Sequence, residues 1–272
     1  MDVLNEGVTR RRTGFRYLDD MGVVTPFAHR GGADHPAIEG LENTVVAFAH
    51  AVSLGYRYLE TDVHVTSDGV LLAFHDTVLD RVTDRSGAIA SLPYAEVQRA
   101  LIGGRERVPT LAALFDAFPD ARFNIDIKSP AAVRPLADFI AEREVADRVL
   151  VGSFSRSSLR AFRRLTAGKV ATSAHPAEVA IWVLSPSGAL ARQLTADVSA
   201  LQIPHRRHGI RVTSRWLVRK AHSQGVHVHV WTIDDPVEMN DLIDLGVDAL
   251  MTDRTDVLKD VLIARGLWEE PA

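Results

Sequence analysis

The sequence predicts an α/β fold, a single-domain (β/α)₈ TIM barrel, and three observations support this prediction. Short apolar segments rich in Val, Ile and Phe alternate with longer amphipathic segments, which is typical of strand and helix units around a parallel sheet. About eight short segments occur, the strand number of such a barrel. The 272 residues are 46% hydrophobic, enough for one sizeable core, and barrels of about 250 residues commonly form one domain.

The predicted strands are spread along the chain. They lie at 26–30, 56–63, 121–128, 148–154, 169–174, 198–204, 226–233 and 248–253. Helical patterns run between them, and glycines stand where several of these helices are expected to end. We expect one domain over 1–272, with the barrel at about 24–265 and an N-terminal extension at 1–23.

A further apolar run, 70–76, follows the second predicted strand after only three residues. Parallel neighbours need a crossover of roughly a dozen residues, whereas Asp-Gly favours a tight hairpin, so this run is expected to fold back antiparallel. A turn at 68–69 then places Asp62 opposite His75. The hairpin, at about 62–76, is expected to rise above the C-terminal end of the barrel.

The segment that follows, about 77–108, is expected to form a small inserted cap over the same end of the barrel. It is rich in turn residues, which indicates irregular structure. Barrel enzymes carry their active sites at this C-terminal end. We therefore expect any chemistry to lie beneath the hairpin and the cap.

Composition restricts the possible partners and cofactors. The net charge is −4 and the 31 Lys and Arg are scattered, so no nucleic-acid surface is predicted. The chain has no cysteine, which excludes disulfides and thiolate metal sites, so a metal would bind oxygen or imidazole. No signal-like or roughly twenty-residue apolar stretch occurs, so we expect a cytoplasmic protein without stable membrane insertion. Nothing indicates an oligomeric state.

Acidic residues end two of the predicted strands. Glu60 and Asp62 lie two apart, so both side chains leave one face of a strand, and Asp126 and Lys128 repeat this spacing in another strand. Carboxylates gathered at one end of a barrel suit Mg²⁺ or Ca²⁺, and Lys128 would neutralise a phosphate oxygen. The alternatives are a solvated acidic pair and a plain ion pair between Asp126 and Lys128.

Two histidines stand near the same end of the predicted barrel. His29 and Arg30 end the first strand before a Gly-Gly pair, which favours phosphate binding by the guanidinium and by closely approaching amides. His75 precedes Asp76, a carboxylate suited to orient an imidazole. Two imidazoles beside a phosphate suffice for proton removal and proton donation. The alternative for His29 is a structural role, and the alternative for the His75-Asp76 pair is a simple turn.

Other candidates support these groups. Asn43 or Thr44 is suited to cap the helix after the first strand, and Glu42 would support the metal ligands or bind the arginine. Trp231 would line the pocket under a glycerol-sized group, while the histidines of its strand fill the barrel. In the basic segment 203–209, phosphate contact and solvent exposure both stay open.

Taken together, these motifs resemble the glycerophosphodiester phosphodiesterase family. The resemblance covers nearly the whole barrel and rests on motifs in a fixed order at successive strand ends. They are HRG (29–31), ENT (42–44), E-x-D (60–62), T-x-D-G (66–69), HD (75–76), I-x-I-K (125–128), SF (153–154), WT (231–232) and GVDALMTD (246–253).

The resemblance implies hydrolysis of glycerophosphodiesters to an alcohol and glycerol 3-phosphate with Mg²⁺ or Ca²⁺. It assigns the acid and base to His29 and His75 and the metal ligands to Glu60, Asp62 and Asp126. The family usually has glutamate in place of Asp126, and a proline often precedes ENT, so both places depart from its pattern. It also implies that the glycerol 2-hydroxyl attacks phosphorus first, giving a cyclic phosphate that water then opens.

Two other functions compete with this one. A lysophospholipase D-like enzyme would share the motifs and would need an apolar, exposed cap, but the sequence of the cap is only mildly apolar. A phosphate-ester sensor would keep the metal ligands without turnover, and the two histidines argue against it. A small phosphodiester is therefore the predicted substrate.

Overall fold

The computed structural model describes residues 12–207 and 209–269, apart from the side chain of Ile210, and its core is a parallel eight-stranded barrel. The barrel strands are β1 (Thr25–His29), β2 (Tyr58–Val65), β3 (Arg122–Ile127), β4 (Val149–Gly152), β5 (Ala171–Thr172), β6 (Ala200–Pro204), β7 (His227–Trp231) and β8 (Ala249–Thr252). Their order is β5-β4-β3-β2-β1-β8-β7-β6, and a parallel bridge between Ser173 and Ala200 joins the two ends. All eight predicted strands are confirmed.

Helices cover the outside of this barrel, except that Arg16–Asp19 closes its N-terminal end and Tyr94–Val97 lies in the cap. They are Arg16–Asp19, Val45–Ser53, Tyr94–Val97, Leu111–Ala117, Val133–Glu142, Arg156–Leu165, Pro176–Leu184, Gly188–Leu194, Arg215–His222, Pro236–Leu245 and Thr255–Ala264, with single 3₁₀ turns at Ile89–Ser91, Pro130–Ala132 and Ala146–Arg148. Asp235 caps one helix by accepting two backbone N–H groups, and the left-handed Gly246 ends it, as predicted. Within the described chain, no helix is long and apolar enough to span a bilayer.

The predicted antiparallel hairpin is present, but its register differs by one residue. The return strand is Leu71–Ala73, and it pairs Val65 with Leu71. Residues 67–69 form a three-residue loop closed by Gly69 at φ +89°, so Asp62 faces Phe74, whose amide donates to its carbonyl at 3.0 Å. The prediction that Asp62 faces His75 is therefore wrong. His75 follows the return strand instead.

The cap at 77–108 is largely irregular, as predicted, and has a small core of its own. Beyond its helical turns it contains the paired strands Leu101–Ile102 and Glu106–Arg107. Its apolar side chains pack under it in one cluster with two residues of the return segment: Leu72, Phe74, Leu79, Ile89, Val97, Ala100, Ile102 and Val108. This burial holds the cap in place beside the hairpin.

The N-terminal end of the barrel is closed by part of the predicted extension. Helix Arg16–Asp19 places Tyr17 and Leu18 in the lower barrel core with Phe27 and Tyr58. The Tyr58 hydroxyl donates to the Tyr17 carbonyl at 3.0 Å. The extension therefore packs against the barrel through Phe15, Tyr17, Leu18 and Met21, while the rest of the predicted extension, 1–11, lies outside the described residues.

Candidate active site

One cavity of about 520 Å³ opens at the C-terminal end of the barrel, here called the mouth. It collects side chains from strand ends that are far apart in the sequence, because parallel strands of a closed barrel all end on one rim. Residues of the predicted site that line it are His29, Arg30, Glu60, Asp62, His75, Asp126, Lys128 and Trp231. Glu42, Asn43 and Asp76 lie behind them and contact Arg30, Asp62 and His75 respectively.

The turn after β1 is built by three consecutive residues with positive φ. Arg30, Gly31 and Gly32 have φ of +51°, +89° and +91°. A Cβ on Gly31 would lie 2.7 Å from Ala47 Cβ, and one on Gly32 would lie 2.7 Å from Thr255 Cγ2, so glycine is needed for close packing. Both glycine amides donate to carbonyls within the turn. The prediction that these amides approach an anion is therefore wrong.

His29 is held between two carboxylates. Its Nδ1 lies 2.8 Å from Asp253 Oδ1, and its Nε2 lies 3.7 Å from Glu60 Oε2. Burial disfavours the imidazolium, but the charges of Glu60 and Asp253 outweigh burial and raise the pKa of His29 to about 9. Asp253 itself is positioned by Asp234, which accepts its backbone N–H at 2.8 Å.

Three acids and one lysine form the floor beside His29. Lys128 Nζ lies 2.9 Å from Asp62 Oδ1 and 2.7 Å from Asp126 Oδ2, and Asp62 pairs with Asp126 in the β2–β3 register. Burial and the Asp62 charge raise the pKa of Glu60, and burial raises the pKa of Asp126. Although burial opposes it, Lys128 and Arg30 hold the pKa of Asp62 low.

The loop after β1 links Arg30 to this floor. Arg30 Nη1 donates to Glu42 Oε1 at 3.2 Å, and its Nε lies 3.5 Å from Asp62 Oδ2. That buried Nε has no hydrogen-bond partner among the described residues, and Asp62 is the carboxylate beside it, while Arg30 as a whole lines the cavity. Asn43, at φ +59°, donates to Asp62 at 3.1 Å, whereas Thr44 caps the helix. Of the two possible caps, the structure uses Thr44.

A chain of charged contacts orients His75. Its Nδ1 lies 2.6 Å from Asp76 Oδ1, and Arg81 donates to both oxygens of Asp76, at 2.6 and 3.2 Å. Arg81 also donates to both oxygens of Glu42, at 2.8 and 2.7 Å. The hydrogen bond from Arg81 is the main cause that lowers the pKa of Asp76 to about 2. The guanidinium of Arg81 thus links the cap to the Glu42–Arg30 pair.

The donor set fits a divalent cation. Glu60, Asp62 and Asp126 line the mouth, and burial raises the pKa of Glu60 and of Asp126 although Lys128 lowers both. Hard cations prefer such oxygen ligands. Among the described residues, however, these three do not form a group whose oxygens all lie within 4.8 Å of one another, and Asp126 and Lys128 form the ion pair that was the alternative.

A different group of acids lies closer together. Among the described residues, Asp34, Asp234 and Asp253 have oxygens within 4.8 Å of one another. Asp253 is engaged by His29, and Asp234 Oδ1 accepts from Thr252 and from two backbone N–H groups. These two carboxylates are thus occupied in supporting His29.

The rest of the cavity wall carries two aromatic side chains and a basic edge. Trp231 and the exposed Phe154 meet edge to face with ring centroids 5.9 Å apart, and Arg206 and Arg207 line the cavity beside them. His205 from the predicted basic segment is buried, and His208 lies outside the described residues.

Sequence reasoning missed two residues of the site. Asp253 ends the GVDALMTD motif that was used only for the family resemblance, and its place at a strand end is the signal that marks it. Arg81 lies in the irregular cap, where no local pattern indicates a contact with Glu42. Both act on residues that were predicted.

Comparison with known proteins agrees with this geometry. The model of the "Glycerophosphoryl diester phosphodiesterase family" matches residues 29–257. The chain is 41% identical to "Probable glycerophosphodiester phosphodiesterase 2" of Mycobacterium tuberculosis over 93% of this chain and 99% of that protein. It is 29% identical to "Lysophospholipase D GDPD1" of Mus musculus, over 86% and 85%.

Solved structures share the fold. An Oleispira antarctica phosphodiesterase in complex with the product sn-glycerol-3-phosphate superposes with a TM-score of 0.72 at 22% identity, over 88% of this chain and 96% of that one. A glycerophosphodiester phosphodiesterase of Agrobacterium tumefaciens gives 0.69 at 22% identity, over 87% and 99%. With the family match over most of the barrel and the 41% identical relative, the chain belongs to the glycerophosphoryl diester phosphodiesterase family.

Proposed function

We propose that the protein hydrolyses glycerophosphodiesters to an alcohol and glycerol 3-phosphate with a divalent cation. The observation that carries the proposal is the gathering of two oriented imidazoles, three acids and a partly buried arginine around one cavity. The names of its relatives and the product bound to the Oleispira antarctica protein support the same substrate class.

The chain's own residues supply binding and proton transfer. His29 and His75 exchange protons with the attacking and leaving oxygens, each oriented by a carboxylate on its Nδ1, so that proton transfer uses Nε2, which in His29 also lies 3.7 Å from Glu60 Oε2. The guanidinium of Arg30, which lines the cavity, donates to a phosphoryl oxygen. Trp231 offers an indole face to the glycerol.

Glu60, Asp62 and Asp126 would hold the cation, Mg²⁺ or Ca²⁺, which when bound neutralises charge on the phosphoryl oxygens. Lys128 bridges Asp62 and Asp126, so it stands where the cation would bind. With the cation bound to these acids, Lys128 would be free to move toward the phosphate. The Asp126 side chain is one methylene shorter than the glutamate usual in the family. The proposal therefore has two forms, in which Asp126 binds the cation directly or through a water molecule.

The decisive experiment measures glycerol 3-phosphate released from glycerophosphocholine by the purified protein with Mg²⁺ or Ca²⁺. We expect turnover that chelation and His29→Ala abolish. His50→Ala, on the outer helix Val45–Ser53, is the control and should retain activity. Binding of the diester without turnover would instead identify a phosphate-ester sensor.

The order of the chemical steps has its own test. We propose internal attack by the glycerol 2-hydroxyl, as the family resemblance implies. A 2-deoxy analogue of the substrate then lacks the nucleophile and should not be cleaved. Cleavage of the analogue at the normal rate would show that water attacks directly.

Lysophospholipase D activity is the second candidate, because relatives of that name match the chain. The cap argues for the soluble diester, because its apolar side chains pack into its own core and Val78, 38% exposed, is the large hydrophobic residue that it exposes among its described residues. We therefore expect glycerophosphocholine to be cleaved faster than lysophosphatidylcholine. The reverse order would favour the second candidate.

A further inference from the structure

The mouth of the barrel has two walls of different chemistry. Because the strands are in chain order around the barrel, β6 lies opposite β2. The acids that line the described part of the cavity, Glu60, Asp62 and Asp126, come from β2 and β3. The reacting phosphate is expected beside them, so the opposite wall faces another part of the substrate.

That opposite wall combines apolar side chains with the polar Ser173 and Gln202, and it ends in a basic edge. Ala174, Pro176, Val179, Ile203 and Pro204 line it, and Arg206 and Arg207 continue it above β6. The two arginines form one strand of a short antiparallel hairpin, the basic hairpin (Arg206–Arg207 paired with Ile210–Arg211).

These guanidinium groups are available to a ligand. The Arg206 side chain is 53% exposed, and its Nε lies 3.8 Å from Glu238 Oε1, longer than a hydrogen bond. Arg207 is exposed as well. A cationic head group would meet two positive charges here, whereas a phosphate monoester would receive paired N–H donors from planar guanidinium groups.

We propose that Arg206 and Arg207 bind a second anionic group, so that the preferred substrates are glycerophosphodiesters whose leaving alcohol carries a phosphate monoester. This inference rests on the proposed function. The glycerol half of the substrate carries only hydroxyls, so the second charge belongs to the other alcohol. In the net reaction the diester P–O bond to that alcohol breaks, one water supplies a hydroxyl to phosphorus when the cyclic phosphate opens, one proton goes to the leaving alkoxide, and the monoester leaves intact.

The test compares two substrates that differ by one group: glycerophosphoglycerol and the same molecule with a phosphate on its terminal hydroxyl. We expect kcat/KM of the wild type to be about tenfold higher for the phosphorylated substrate, as two exposed ion pairs allow. The preference should lie in KM, and it should shrink as salt is added, because exposed charges are screened.

Matched variants assign the preference to these residues. In the double variant Arg206→Gln/Arg207→Gln the ratio of the two kcat/KM values should fall to near one. Arg211→Ala changes an exposed arginine of the same hairpin that is not among the residues lining the cavity, and it should keep the ratio. The double variant Arg206→Lys/Arg207→Lys, which keeps both positive charges, should keep part of the preference for the phosphorylated substrate.

The outcomes separate this inference from the proposed function. Cleavage of neither substrate by the wild type would refute the proposed function. Cleavage of both with equal kcat/KM, or a ratio that the double variant leaves unchanged, would refute the anionic subsite while the proposed function stands. Faster cleavage of glycerophosphocholine than of the phosphorylated substrate would show that this wall accepts a cation.

Discussion

Replacing Arg81 by alanine should lower kcat/KM for glycerophosphocholine about ten- to a hundredfold with little loss of stability. Arg81 makes bidentate contacts with Asp76 and with Glu42, and Asp76 in turn holds His75. Without the guanidinium the two carboxylates repel each other. His75 then loses its fixed orientation toward the cavity.

The magnitude follows from exposure and geometry. The Arg81 side chain is 47% exposed, and exposed ion pairs contribute about 0.2–1 kcal/mol each, so the free energy of unfolding should fall by no more than about 2 kcal/mol. A small misplacement of a catalytic group costs up to about a hundredfold in rate, which corresponds to about 2.7 kcal/mol in the barrier. Arg81→Lys should lie between, since one ammonium cannot contact both acids bidentately.

The pH dependence gives a reading that a purely structural role would not change. The hydrogen bond from Arg81 lowers the pKa of Asp76 to about 2, so in the wild type Asp76 stays ionised as the pH falls. In the variant the pKa of Asp76 rises toward its ordinary value near 4. The ratio of wild-type to variant kcat/KM should therefore grow as the pH falls from roughly 6 toward 4.

The assay is steady-state kinetics with saturating cation, alongside urea unfolding. Arg85→Ala is the matched control, because Arg85 lies in the same cap and contacts the Arg99 carbonyl. Wild-type kinetics in Arg81→Ala, or an equal loss in Arg85→Ala, would refute the reasoning. So would a loss of activity that tracks the loss of stability.

Asp253→Asn removes one of the two charges that raise the pKa of His29. NMR titration of the metal-free protein should therefore find that pKa below 9, and kcat/KM should fall about a hundredfold. An unchanged pKa of His29 would contradict this prediction. Arg163→Met leaves buried Glu178 without its bidentate partner and should cost about 3–5 kcal/mol in urea unfolding, most of it recovered when Glu178→Leu is added. Chelation should abolish turnover and lower the midpoint of thermal unfolding, and added Mg²⁺ or Ca²⁺ should restore both. Full activity after chelation would show that catalysis does not require the cation.

Local patterns were enough for the strands and for the candidate residues at their ends. Alternation of apolar segments located all eight strands, and the two-residue period placed Glu60 and Asp62 on one face. The hairpin was also predictable, because three residues are too few for a parallel crossover. The register of the hairpin was not predictable, because the Asp-Gly pair fits both a two-residue and a three-residue loop.

The contacts that orient the site were decided by tertiary structure. His29 and Asp253 are 224 residues apart, and Arg81 and Glu42 are 39 apart, so no periodic pattern joins them. The sequence by itself determined which residues stand at the strand ends, because side-chain direction follows from the local backbone. Closure of the barrel and the position of the cap determined which of them touch, because a contact between distant segments depends on distances in space.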